Sequence, residues 1–452
     1  MRRWIGAFLA VVAACIPIFL QRSAGSDLLL DTDTKVLMAT IRERHAPLSW
    51  FTGDWPLNNH FYRPVSTLSF ELDNWLYGAN GAGYGVTNAL ICIASVLLLF
   101  WFLRELTDHP ILSAGGAVLF AFQHVGNERP ITTVLFYLAI LAAAVGVIRH
   151  GLKVKLWLPA ALTLLYAIEE VTAPSNFGQR TLGWLPGRTA TVMTVFALIA
   201  MAAYARYERL GATRTEANPQ PTDPPATRMT RVGRPITKSS LLWPILSLAA
   251  AALAFGSYEQ AVMLPAIMLA IAMTFRFSRF RVRWGWQAGF WALLIGYLVL
   301  RKEVLPAGVS HYQAQQFRAG PGVRISLLNY AMPFVNGFSG FLASFEMGPL
   351  IFMTWAPYGF FLSAASNLTA FYQAGRHWVW ALAGYGMSFL AFLPMAWVKQ
   401  FGHYNYWPMA MRSLFTMVLL WAGYELMLNA CSPPTRQAPP RPDPAPGSLP
   451  RP

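Results

Sequence analysis

The chain has 452 residues, of which 55% are hydrophobic and only 12% are charged. Its mean hydropathy of +0.39 excludes an ordinary soluble globular protein and favours one that crosses a membrane several times. A formal net charge of +15 would suit a nucleic-acid-binding protein if the basic residues formed one patch. They stand instead in short runs between apolar segments, as residues that set membrane orientation do, so no nucleic-acid partner is expected.

The first apolar segment, residues 1 to 21, begins with Arg2 and Arg3 and lacks a good small-x-small cleavage motif. We interpret it as a signal-anchor with a cytoplasmic N-terminus, followed by a long loop over residues 22–84. Further apolar segments are predicted at 83–102, 111–122, 131–148, 156–168, 189–204, 241–256, 261–275, 286–300, 350–365, 378–397 and 407–428. The stretch 326–345 contains Pro333 and Gly337, and we expect it to lie at the interface or to enter and return.

Two polar stretches divide the chain. Residues 206–240 combine arginines with prolines and are predicted to be a disordered cytoplasmic linker, and the Pro-rich tail at 431–452 is predicted to be disordered as well. The linker separates an N-terminal transmembrane half, 1–205, from a C-terminal half, 241–430. The predicted fold class is therefore an all-α polytopic membrane protein with about 11 to 13 transmembrane helices. Cys15, Cys92 and Cys431 form no CxxC pair and indicate neither a disulfide framework nor a zinc site.

Asp31 and Asp33 stand two residues apart, just after the first apolar segment. Carboxylates at a membrane exit are placed to accept a proton from a substrate hydroxyl while water and lipid head groups are both in reach. The alternative is structural, because an Asp-x-Asp pair is also typical of a helix N-cap or a solvated turn.

Several short motifs follow in order along the chain. Residues 61–68 read FYRPVSTL, 72–78 LDNWLYG, 83–88 GYGVTN, 120–123 FAFQ, 183–188 GWLPGR, 258–261 YEQA and 404–408 YNYWP. Together they resemble the GT-C glycosyltransferases related to the O-mannosyltransferases that carry transmembrane and tetratricopeptide parts. Gln123 stands where that family usually has His, and no tetratricopeptide repeats follow.

The resemblance implies a GT-C fold and an enzyme that takes a sugar from a polyprenyl-phosphate donor. The acceptor would be a protein, a lipid or a glycan on the extracytoplasmic face, with the protein in the inner membrane of a bacterium and its site on the periplasmic side. It also implies that Asp31 or Asp33 is the general base and that Glu128 is a second acidic residue of the site. The structural alternative for Glu128 is an interfacial ion pair with Arg129.

Arg63 precedes Pro64, which holds it in an extended conformation. Its guanidinium suits a phosphate, but we favour slightly a structural role in which it anchors the loop to a carboxylate such as Asp73. The basic residues at predicted outward membrane ends suit a phosphate head group, although such residues also extend to the interface for purely structural reasons. The full set of predicted substrate-binding residues is Tyr62, Arg63, His124, Arg188, Arg301, Lys302, His403 and Tyr404.

No cofactor is expected, and no metal is assigned, since a lipid-phosphate donor can react without a divalent ion. Membrane lipids are the remaining predicted partner. Two rival functions stay open: a transporter or flippase of a lipid-linked saccharide, and a catalytically inactive scaffold of the same fold. A transporter would place ionisable residues near the middle of the membrane and show an internal repeat, and neither feature is evident.

Overall fold

The fold is taken from a computed structural model of the chain. The structure describes residues 2–22, 26–44, 46–124, 181–216, 238–276, 283–318, 320–331, 377–399 and 401–431. Within these ranges all regular secondary structure is helical and no β-strand forms, and Phe317 and Val398 make one isolated antiparallel bridge. The described part of the molecule is thus an all-α protein, as predicted.

The helices are α1 Arg2–Leu20, α2 Thr32–Arg44, α3 Pro64–Tyr77, α4 Gly81–Thr107, α5 Pro110–Gln123, α6 Arg188–Glu216, α7 Lys238–Phe255, α8 Leu264–Arg276, α9 Trp284–Val304, α10 His311–Gln316, α11 Pro321–Ala331, α12 Trp378–Phe392 and α13 Tyr406–Cys431. Their ends follow local chemistry. Pro64 and Pro110 open α3 and α5 at a position where the missing N–H costs nothing. The Asn80 side chain caps α4 by accepting from Ala82 N.

Helices occupy the positions of most predicted apolar segments, but the segments at 131–148, 156–168 and 350–365 lie outside the described residues. The stretch that we expected not to span, 326–345, is described only in its first part, where α11 ends at Ala331. Residues 206–216 of the predicted linker continue α6 and residues 238–240 begin α7, so these two ends are helical and not disordered. The rest of the linker lies outside the described residues, and of the Pro-rich tail only Cys431, the last residue of α13, is described.

Four helices in the described ranges are long and apolar enough to cross a membrane: Arg3–Leu20, Gly81–Thr107, Leu185–Gly211 and Trp378–Trp397. Three shorter apolar helices lie at Pro110–Gln123, Leu241–Phe255 and Glu259–Phe275. These helices support a membrane protein. The larger number of spans expected from the sequence remains a prediction.

The bundle is organised around α6, which packs along both α4 and α7, while α13 packs between α12 and α5. Small residues permit these close contacts. Ala197 and Ala200 on α6 are fully buried, and a Cβ added at Gly384 of α12 would lie 2.9 Å from the backbone nitrogen of Phe415 on α13. Because a backbone atom cannot rotate away, this α12–α13 contact requires glycine.

The long first loop is itself largely helical. It folds into α2, a 3-10 turn at Pro47–Thr52 and α3. These elements share a small apolar core of their own, centred on Trp50, Trp55 and Phe70 and completed by Leu185 from the start of the α6 span. The loop is therefore a packed platform at one end of the bundle.

The platform lies at the end of the bundle opposite the basic linker. Thr189, in the first turn of α6, shares a cavity with Asp33, whereas the other end of α6 leads into the linker. At about 1.5 Å per residue the 29 residues of α6 extend roughly 43 Å, enough to cross a bilayer. Asp31 and Asp33 thus lie on the opposite side of the bundle from the linker.

Candidate functional site

Asp31 caps helix α2. Its carboxylate accepts hydrogen bonds from the Thr34 backbone N at 3.1 Å and from Thr34 Oγ1 at 3.3 Å. The structural alternative considered for this residue is therefore realised. The same carboxylate also accepts a hydrogen bond from Trp184 Nε1 at 3.1 Å, so Asp31 fixes an indole that comes from a distant part of the chain.

Asp33, in the first turn of α2, lines a cavity of about 490 Å³. The cavity brings together parts of the chain that are far apart in sequence. Its walls come from residues 33–36 and 55–63 of the platform, residues 184–189 before and at the start of α6, Tyr258, the segment 310–316 and residues 401–404. Four of the motifs noted in the sequence, at 61–68, 183–188, 258–261 and 404–408, contribute residues to these walls, so the structure brings them together.

Arg63 forms a buried ion pair with Glu259, 196 positions away. Its Nε lies 2.9 Å and its Nη2 2.6 Å from Glu259 Oε2. This partner corrects the expected pairing with Asp73, which lies further along α3 and pairs with a different arginine. Burial lowers the pKa of the Arg63 guanidinium, but Glu259, Tyr258 and Tyr404 together raise it more, so the net shift is upward and the charge is permanent.

Aromatic rings surround that guanidinium. Its central carbon lies 4.1 Å from the centre of the Phe61 ring, 4.5 Å from that of Tyr258 and 4.8 Å from that of Trp55. Such cation–π contacts help to hold the planar guanidinium group in place. Arg63 lines the cavity, and its Nη1 makes no hydrogen bond within the described ranges. One arm of the guanidinium therefore remains for a ligand.

His403 and Tyr404, two of the residues predicted to bind substrate, form another wall of the cavity. The His403 ring is buried, with ring centres 5.2 Å from Trp184 and 4.4 Å from Tyr404. Burial raises the pKa of Tyr404 to about 12 and that of Tyr258 well above its ordinary value. Both phenols therefore keep their protons at neutral pH and can donate hydrogen bonds.

Arg188 lies in the packed interior and does not line the cavity. Its side chain is fully buried, with Nη2 2.6 Å from Asp73 Oδ2 and Nε 2.6 Å from Asn88 Oδ1. It also donates to the backbone oxygens of Ser69 and Tyr84. Because these partners lie on α3 and α4, the Arg188 guanidinium holds both helices against α6.

Three other predicted residues, His124, Arg301 and Lys302, do not line the cavity. His124 is buried in the bundle, where its ring bonds the Phe120 backbone oxygen and the Tyr406 hydroxyl, each at 2.9 Å. Arg301 and Lys302 lie in the last turn of α9, at the cavity end of the bundle but outside the cavity wall. Glu128 lies outside the described residues.

An apolar groove of about 660 Å³ runs between α7 and α9 at the same end of the bundle. Tyr62 lies at the junction of groove and cavity, because it lines the groove while its neighbour Arg63 lines the cavity. Leu253 and Leu300 in its walls are 41% and 45% exposed, so the groove opens toward the surface that would face lipid. The other wall residues are Phe51, Pro64, Val65, Leu248, Ala252, Phe255, Gly256, Gly289, Ala292, Leu293, Gly296 and Tyr297.

No protein-family model matches the chain, and no curated protein or solved structure matches it. The likeness to GT-C glycosyltransferases remains a prediction from the quoted motifs. Within the described ranges, no group of three or more His, Cys, Asp and Glu side chains could hold a metal ion.

Sequence reasoning missed several residues of the cavity. Trp184 was noted only as part of a motif, and Trp55, Asn59 and Gln316 were not singled out. Glu259, which pairs with the wall residue Arg63 but does not itself line the cavity, was also noted only as part of a motif. A signal was present for Glu259, since an acidic residue between two apolar helices requires a partner. The amides of Asn59 and Gln316 have no comparable signal, because polar residues are ordinary in loops.

Proposed function

We propose that the protein is a membrane glycosyltransferase that moves a sugar from a polyprenyl-phosphate donor to a hydroxyl acceptor. The observation that carries this proposal is the position of Asp33 in a polar, aromatic-walled cavity that adjoins an apolar groove. The cavity suits a sugar, because aromatic faces and hydrogen-bonding groups together match its apolar and hydroxyl-bearing faces. The groove suits an isoprenoid chain, since its walls are apolar and open toward lipid.

The reaction needs one base and a stabilised leaving group. Asp33 takes the proton of the acceptor hydroxyl as its oxygen attacks the anomeric carbon of the sugar. The bond from that carbon to the phosphate oxygen breaks, and polyprenyl phosphate leaves with the electron pair. The free arm of Arg63 stabilises the growing negative charge, and Arg301 at the end of the groove is a second cation for it. Such a single displacement inverts the anomeric centre.

The two acids have different roles in this proposal. Asp31 caps α2, bonds Trp184 and does not line the cavity, so its role is to position the cavity wall. Asp33 lines the cavity itself and is therefore the proposed base. If the basic linker is cytoplasmic, as the positive-inside rule favours, transfer takes place on the extracytoplasmic side.

The test is donor consumption by the purified full-length protein in lipid nanodiscs. Radiolabelled polyprenyl phosphates carrying mannose, glucose or arabinose are each incubated with a mixture of hydroxyl acceptors. We expect one donor to be consumed, and the Asp33→Asn variant to lower kcat by about 100- to 10,000-fold through loss of the general base. Asp31→Asn should lower it less, because that residue acts through Trp184.

Glu43→Gln is the matched control, since Glu43 is an exposed carboxylate on the same helix and does not line the cavity. Its activity should equal that of the unmodified protein. Full activity in a folded Asp33→Asn variant would remove the proposed base. Failure of the folded, unmodified protein to consume any donor would favour an inactive scaffold, or a transporter if the donors cross the bilayer unchanged.

A further inference from the structure

Trp55 Nε1, Asn59 Oδ1 and Gln316 Oε1 are buried side-chain atoms of residues that line the cavity, and they have no hydrogen-bond partner among the described residues. Trp55 is 3% exposed and Asn59 is 9% exposed. A buried donor or acceptor without a partner costs about 1–3 kcal/mol, so native proteins seldom keep three together unless something else bonds to them.

The three residues are held firmly in place. The Trp55 backbone N donates to the Phe61 carbonyl and to the Asp54 carboxylate. The Asn59 carbonyl accepts from Ser310 Oγ at 3.0 Å, and the Gln316 carbonyl accepts from the Lys399 backbone N at 2.9 Å. Their backbones are thus fixed by other contacts, which limits the positions that the three side chains can take.

The chemistry of the three atoms limits the ligand. An anion would meet two amide oxygens and Asp33, which repel it, and a cation would meet the indole N–H and Arg63. A neutral polyol satisfies the whole set, because each hydroxyl group both donates and accepts. The rings of Phe61 and Tyr312 in the same wall, with centres 6.3 Å apart, add apolar faces for a sugar ring.

We infer that Trp55, Asn59 and Gln316 form the subsite that recognises the hydroxyl groups of the transferred sugar. This inference rests on the proposed glycosyl transfer and deepens it by naming the residues that select the sugar. Asn59 and Gln316 accept hydrogen bonds from two hydroxyls, and Trp55 donates to a third oxygen. None of them takes part in the chemical step.

The first test measures binding without turnover. Methyl glycosides of mannose, glucose and galactose are titrated against the full-length protein in nanodiscs and followed by saturation-transfer NMR. We expect one glycoside to bind, and Asn59→Leu and Gln316→Leu to weaken it at least about 10-fold. Glu43→Gln serves again as the control, because Glu43 is an exposed residue that does not line the cavity.

The second test measures selection during turnover. The value of kcat/KM for the preferred polyprenyl-phosphate sugar is compared with those for its monodeoxy analogues. Each leucine variant should lose about 10-fold or more on the full sugar and little on the analogue that lacks the matching hydroxyl. Asn59→Ser and Gln316→Ala replace any leucine variant that does not fold.

The two tests fail separately. Glycoside binding that depends on Asn59 and Gln316, without consumption of any donor, supports the subsite and overturns glycosyl transfer. Turnover with unchanged sugar selection in both variants overturns the subsite and leaves the enzyme. Absence of glycoside binding to the folded, unmodified protein, or equal binding to all variants, also overturns the subsite.

Discussion

Arg188 and Arg63 are both buried arginines that meet a carboxylate, yet their surroundings differ. Arg188 is fully buried and is shared among Asp73, Asn88 and two backbone oxygens. Arg63 pairs with one carboxylate among the described residues, that of Glu259, while its Nη1 makes no hydrogen bond there and the residue lines a cavity. A cation whose donors are all used by protein groups holds the fold, whereas a cation with donors remaining can hold a ligand.

A third arginine pair, at the far end of the bundle, completes the comparison. Arg209 Nη2 lies 2.6 Å from Asp108 Oδ2, but the Asp108 side chain is 61% exposed. Water competes with such a pair and salt screens it. The three pairs therefore form a series of decreasing burial, and mutations in them should differ in the same order.

The largest effect is expected for Arg188→Leu. It leaves Asp73 as an unpaired buried charge and should lower the free energy of unfolding by about 3–5 kcal/mol. The measurement is an SDS titration of the protein in mixed micelles. The double variant Arg188→Leu with Asp73→Leu should recover part of the loss, because it removes the stranded charge. An unchanged free energy of unfolding for the single variant would show that Arg188 does not stabilise the fold.

Arg63→Gln should cost less stability, about 1–3 kcal/mol, because Glu259 keeps some contact with water. Its main effect should be on donor consumption, through loss of the cation beside the phosphate. Arg63→Lys keeps the charge but not the two-pronged contact, so its activity should fall between that of the glutamine variant and that of the unmodified protein. A stability loss as large as that of Arg188→Leu, with KM for the donor unchanged, would show that Arg63 stabilises the fold and does not bind the donor.

Asp108→Asn should have the smallest effect. Asp108 ends α4 with a φ of +51°, a conformation that asparagine tolerates well, so only the charge is removed. The free energy of unfolding should change by less than about 1 kcal/mol, and less still at high salt. Donor consumption should not change. A loss of activity here would show that the two ends of the bundle are coupled.

The sequence predicted helix positions well, because long apolar runs between polar loops leave few other structures within a membrane. Of the residues predicted for the site, Asp33, Arg63, His403 and Tyr404 line one cavity, and their role in a site stays a prediction. The cap role of Asp31 was one of two alternatives that the sequence left open, and the buried role of Arg188 was not predictable. Whether a carboxylate caps a helix or faces a substrate depends on the backbone conformation of a single turn. Whether an arginine points into the bundle depends on how its helix is rotated about the helix axis.

Partners across long sequence distances were beyond sequence reasoning as well. Nothing local to Arg63 indicates Glu259, because both residues are charged groups at helix ends with several candidate partners. The unpaired atoms of Trp55 and Asn59 become visible only when burial is known. Binding surfaces built from such groups depend on three-dimensional packing, to which periodicity and composition are insensitive.

The ion pair between Arg63 and Glu259 has a further consequence, since it joins residues on either side of the basic linker. Helices α6 and α7, which flank the same linker, pack along each other as well. The covalent connection between Glu216 and Lys238 is therefore not what keeps the two halves in register. Expressed as separate polypeptides divided at that point, they should assemble into a single particle and purify together.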